Sequence, residues 1–140
     1  SEARQAGFIG IESGGKFPKN SSELIPKLNQ FNLNLCSGWY GANLRNNSVE
    51  QEKKLIHQQL TLFKDCKAPC IVLAEVSGSI QGDPKRKLSS RPQMDNDEWK
   101  IFCEKISELA KYLQDNEMPL AYHHHMGTII ETQKDTDIWG

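Results

Sequence analysis

Three consecutive histidines, His123, His124 and His125, close a β-rich run that begins at Pro119. In an extended chain alternate side chains share a face, so His123 and His125 could reach one divalent ion together while Tyr122 and His124 turn the other way. A metal site also needs carboxylates, and two stand at the ends of other predicted strands, Glu12 and Glu75. A lone strand-end carboxylate also serves as a helix cap or a rim ion-pair partner, so neither is informative by itself. Trp39, at a further strand end, offers an apolar wall for a ring-shaped substrate. Lys16 follows Gly14 and Gly15, which let the backbone turn over the sheet's end and leave the ammonium free to approach a polar ligand.

The elements that must position these groups alternate in type. Phe8 to Ser13 reads as a first strand, preceded by a helix that ends at Gly7 and starts outside the sequence. Ser22 to Gln30 reads as a short helix, with Pro26 tolerated only in a first turn. Leu33 to Trp39 is a second strand. Ser48 and Gln51 form a capping box for a helix carrying Leu55, Ile56, Leu60, Phe63 and Cys66 at helical spacing. Cys70 to Val76 is a third strand, of the near-continuous apolar kind found in parallel sheets. Ser77 to Met94 is a long loop, and loops of that length are usually functional or disordered. Asp95 and Glu98 open a helix with Trp99, Phe102, Cys103, Ile106, Leu109, Ala110 and Leu113 on one stripe, and Pro119 to His125 is the fourth strand.

Such alternation implies βαβ crossovers, a parallel sheet and chemistry at the strands' C-terminal ends. Two α/β architectures stay open: a small flavodoxin-like open sheet, or part of a (β/α)8 barrel, which takes about 250 residues. One domain over residues 1–140 is expected. The segment Gly10 to Lys16 satisfies the core spacing of a phosphate-binding loop, but Phe17 stands where a Ser or Thr would hold Mg²⁺.

Composition excludes several partners. Lys and Arg number 17 against 18 Asp and Glu, a net charge of −1, which provides no basic footprint for nucleic acid. The longest apolar run, Cys70 to Ala74, is far short of the ~20 residues a membrane span needs. Four cysteines in neither a disulfide nor a zinc-knuckle pattern, with no secretion signal in view, fit reduced thiols in a cytoplasm. Cys36 and Cys103 read as small core residues, and His57 as a solvated helix residue.

Four segments together carry a family likeness: Gly10-Ile-Glu-Ser-Gly-Gly-Lys-Phe-Pro18, Ser37-Gly-Trp-Tyr40, Ala74-Glu-Val-Ser-Gly-Ser-Ile-Gln-Gly82 and, most specifically, Leu120-Ala-Tyr-His-His-His-Met-Gly-Thr128. The sequence resembles the inosose dehydratases of inositol catabolism, which are xylose-isomerase-like (β/α)8 barrels. The resemblance implies dehydration of a small polyol ketone, 2-keto-myo-inositol, to a trihydroxycyclohexane dione, with Mn²⁺ or Co²⁺ at the barrel's C-terminal face. It places His123, Glu75 and His125 as metal ligands; Glu75, Glu12 and whichever of His123 or His125 is unligated, His125 on this ligand order, are the acid–base candidates for such chemistry, and Trp39, Lys16 and Tyr122 are expected near the substrate.

Such chemistry removes an acidic α-proton while charge builds on the carbonyl oxygen, through an enediolate. The Asp-x-Gly-His segment and final Glu of the superfamily's later strands do not occur in this sequence. The likeness therefore implies about half a barrel, an incomplete metal shell, no activity from these residues alone, and open sheet edges prone to self-association into a homo-oligomer. A sugar isomerase or epimerase of the same superfamily, and a small metal- or polyol-binding α/β module, are the alternatives.

Overall fold

The structure, a computed structural model, describes residues 1–139. The element order is α1 (Glu2–Gln5), β1 (Gly10–Ser13), α2 (Ser21–Gln30), β2 (Asn34–Ala42), α3 (Val49–Asp65), β3 (Ile71–Glu75), α4 (Asn96–Asp115), β4 (Leu120–Tyr122) and α5 (Gln133–Trp139). All four strands are parallel and lie in the order β1-β2-β3-β4. Parallel crossovers are almost always right-handed, and between neighbours taken in sequence order such connections put α2, α3 and α4 on one side, the arrangement of a barrel wall. A flavodoxin-like sheet reverses its strand order and carries helices on both faces, so that alternative is set aside.

The two long helices begin where their capping boxes predict. Ser48 and Gln51 cap α3, and Asp95 and Glu98 cap α4, each pair bonding reciprocally. Their apolar stripes pack on the sheet: Ile56, Leu60 and Phe63 of α3 and Phe102, Ile106, Leu109 and Leu113 of α4 join Leu35, Ile71 and Leu73 in one core.

The helix before Gly7 is described over Glu2–Gln5, and Gly7 follows it at φ +94 as expected. Three expectations change. Pro26 sits past the first turn of α2, where it and Ser22 are exposed, so water can take the Ser22 carbonyl that the missing N–H would have bonded. β2 runs on to Ala42 because β3 pairs with it from Trp39. A register shift between β1 and β2 leaves Cys36 as an extra residue, exposed rather than in the core, its Sγ filling the space a Cβ on Gly10 would need.

A layer of paired polar groups lies between sheet and helices. Glu75 is 0% exposed, and its two oxygens accept the N–H groups of Leu44 at 2.7 Å and Ser77 at 2.8 Å. Glu52, 1% exposed on the sheet-facing side of α3, accepts from the Tyr40 hydroxyl at 2.7 Å, the Asn47 amide at 2.7 Å and the Asn43 N–H at 3.1 Å. From α4, Lys105 donates to the carbonyls of Leu44 and Asn47 at 2.7 and 2.9 Å. The β2–α3 connection is thus held by an acid from each neighbouring element and a cation from the next helix. No helix among the described residues is long and apolar enough to cross a membrane.

Two expectations follow. A Cβ at Gly38 would lie 2.5 Å from the Phe63 ring, which is fully buried, so Gly38→Ala should cost about 1–3 kcal/mol in denaturant unfolding. Burial pushes the Glu75 carboxyl above its ordinary value, against the Ser77 and Leu44 bonds that favour its charged form. The raised folded value means that stability falls as pH climbs from about 4.5, where the unfolded chain ionises first. In Glu75→Gln an amide N–H meets a backbone N–H, a cost of about 1–3 kcal/mol at pH 4 that narrows toward neutrality, because only the wild type carries the pH slope. Paired unfolding curves between pH 4 and 8 measure the gap.

Candidate functional site

Strand alternation sorts the sequence-predicted site residues onto two faces. Gly38 and Tyr40 of β2 face α3, the first against Phe63 and the second bonded to Glu52, which turns Trp39 to the helix-free face. In register, Trp39 pairs with Val72 and Val72 with Ala121, while Tyr40 aligns with Leu73 and Leu73 with Tyr122. Tyr122 therefore belongs to the helix side and His123 to the open side, beside Trp39.

The rings confirm this placement. The Trp39 ring meets those of His123 and His125 edge-on, with centroids 5.3 and 5.7 Å away, and the two imidazoles are 5.7 Å apart. The β4 ladder ends at Tyr122, yet the His123 N–H still donates to the Leu73 carbonyl at 2.8 Å, so the first histidine is held as a strand residue. The His125 N–H donates to the Ile130 carbonyl at 3.0 Å. Its ring Nδ1 lies 2.9 Å from the Met126 carbonyl, which can only accept, so Nδ1 carries a proton and Nε2 is the nitrogen left for a ligand when the ring is neutral. Glu12 is exposed on the same open face and accepts a short hydrogen bond from the Ser37 hydroxyl.

Glu75 and Tyr122 are not part of this group. The expected role of Glu75 as ligand and acid–base group is corrected by its burial on the helix side, both oxygens committed to backbone N–H groups. Tyr122 accepts the Glu75 N–H at 3.1 Å and packs at a 45° tilt with its ring centroid 4.8 Å from that of Trp139, which makes it a packing residue rather than a substrate contact; burial raises its hydroxyl well above the ordinary range. Lys16 lines a cleft between β1 and α2 with Leu24, Leu28 and Phe31, away from the histidines.

His123 and His125 suit a divalent cation as a pair of nitrogen donors, with the Nδ1 of His125 engaged by the Met126 carbonyl. Among the described residues no group of three or more His, Cys, Asp or Glu converges to complete such a shell. A separate cleft of about 370 Å³ opens beside Trp39, between the β1–α2 loop and α3, with Phe17, Leu55 and Gln59 in its walls.

Sequence reasoning missed Glu52, Arg91 and Asp135. Glu52 shares the 52, 56, 60, 63 spacing of the buried α3 stripe, a signal that it faces the sheet. Arg91 and Asp135 lie in segments without apolar periodicity and carried no such mark.

No family model matches the chain. Among curated proteins it is 38% identical to rhizopine catabolism protein MocC of Rhizobium meliloti, over 98% of this chain and 42% of that protein. It is 31% identical to an inosose dehydratase of Mesomycoplasma hyopneumoniae, over 98% of this chain and 45% of that one. The chain thus spans about half the length of the curated relatives it matches. A solved xylose isomerase-like TIM barrel protein from Mycobacterium smegmatis, in complex with magnesium, superposes with a TM-score of 0.68 at 17% identity, covering 99% of this chain and 49% of that one. The strand order, the one-sided helices and these likenesses agree: the chain has the α/β fold of the xylose isomerase-like TIM barrels over about half their length, and its curated homologues are proteins named inosose dehydratase and MocC.

Proposed function

We propose that the open face of the sheet serves the dehydration of a polyol ketone, 2-keto-myo-inositol, in inositol catabolism. The observation that carries this reading is the convergence of His123, His125 and Trp39 beside the C-terminal end of the sheet, with the His125 Nε2 free. The names of the curated relatives support the same substrate class. His123 and His125 would hold a divalent ion, Mn²⁺ or Co²⁺, which when bound polarises the ketone oxygen.

The other steps fall to side chains on the same face. The Trp39 ring gives the apolar surface on which a cyclohexane ring lies, in contact with both imidazoles. Glu12, oriented by the Ser37 hydroxyl, takes the proton next to the carbonyl. Charge moves to the carbonyl oxygen as the enediolate forms, the adjacent hydroxyl leaves with the proton returned from Glu12, and one water is lost with no change of oxidation state overall. The four free thiols support a reducing compartment, and we assign the reaction to the cytoplasm.

The test uses the protein that carries this sequence, with 2-keto-myo-inositol and Mn²⁺ or Co²⁺, and follows product by mass. A product lighter by one water is expected. His123→Ala should lower kcat/KM by roughly 100-fold or more with little change in Tm, since its ring is exposed. An isomer of unchanged mass would transfer the reading to an isomerase, and undiminished turnover in His123→Ala would overturn it. The 140 residues by themselves are expected to be inactive, because the described residues bring no third ligand to the pair.

A further inference from the structure

The long connection from β3 to α4 ends in a side chain whose hydrogen bonds leave its own loop. From Gln81 to Ser90 every residue is exposed, whereas the Arg91 side chain is 10% exposed. Its Nη1 donates to the carbonyls of Thr128 at 3.1 Å and Ile129 at 3.0 Å, and its Nη2 to Asp135 Oδ2 at 2.9 Å, with Glu131 4.0 Å from Nε. Asp135 Oδ2 also collects the N–H groups of Glu131 and Thr132, at 3.1 and 2.8 Å, and the Thr132 hydroxyl at 2.8 Å. One planar cation and one carboxylate therefore gather the backbone from residue 128 to residue 132.

That backbone closes directly on His125. The Thr128 hydroxyl donates to the His125 carbonyl at 2.7 Å, the Thr128 N–H donates there at 3.2 Å, and the Ile130 carbonyl accepts the His125 N–H. Thr128 and Ile129 are each 1% exposed, so their carbonyls have no water to replace Arg91. A lysine could not serve three acceptors in a plane, because its ammonium is a point donor.

We propose that Arg91 is a positioning residue for His125, holding the segment from Thr128 to Asp135 in the form that fixes the imidazole beside the Trp39 ring with Nδ1 on the Met126 carbonyl. The proposal rests on the reading of His125 as part of the site, and its test separates the two.

In ¹⁵N-labelled protein, Arg91→Lys should speed amide exchange at His125 and Thr128 by about tenfold or more while β3 amides stay protected. It should also move the His125 ring from the Nδ1–H tautomer toward the mixture of a free imidazole, with the His57 ring unaltered, and weaken Co²⁺ binding about tenfold or more. Should the Arg91 variant fail to fold, Thr128→Val removes the hydroxyl bond to the His125 carbonyl while leaving Arg91 and the two backbone bonds in place, and a smaller tautomer change of the same sense is expected. A His125 ring and exchange rate equal to wild type in a folded variant would overturn the proposal. Unchanged Co²⁺ affinity in His123→Ala would instead remove the functional reading, with the tautomer result still deciding the role of Arg91.

Discussion

A parallel strand can be reached from its neighbour only by a crossover, and crossovers of one hand between strands taken in sequence order all land on the same side of the sheet. That constraint gives this sheet one face sealed by α2, α3 and α4 and one face that no helix among the described residues covers. Every strand residue inherits its environment from it. On the sealed face a polar group must find a protein partner, which is why Glu52, Glu75, Tyr40 and Tyr122 all bond within the layer. On the bare face Glu12, Trp39, His123 and His125 keep reactive edges unspent.

The two carboxylates at strand ends show how one residue type divides between these environments. Glu12 and Glu75 occupy comparable places in the sequence, each near the end of a short apolar run. A register shift between β1 and β2 leaves Glu12 on the bare side, bonded to one hydroxyl, while Glu75 aligns with Ala42 on the sealed side and holds the backbone of the β2–α3 connection. The first keeps its carboxylate open to solvent; the second braces a loop.

The sequence made legible what rests on local physics. Capping boxes at Ser48 and Asp95, the helical stripes behind them and the alternation of His123 with His125 are short-range patterns, and each appears in the structure as spaced. The fold class was within reach because strands and helices alternate, but strand order was not, since no local signal states which strands pair. The burial of Glu75, the exposed thiol of Cys36 and the reach of Arg91 across the loop depend on register and on contacts between distant segments. Lys16 was misplaced for the same reason: a glycine-rich turn shows that the chain bends, not toward which cleft.

β1 ends at Ser13 opposite Gly38, so β2 continues past its partner with an unpaired edge. Ala42 gives its carbonyl to Val76 of the β3 side, and alternation turns the Trp39 carbonyl to the vacant side, where the Gln59 carboxamide donates to it at 3.0 Å. A side chain from α3 thereby stands in for backbone that a longer β1 would supply. Edge-to-edge polymerisation of β-proteins begins at such vacant carbonyls, and the same glutamine that anchors the helix makes this one a poor template for an incoming chain.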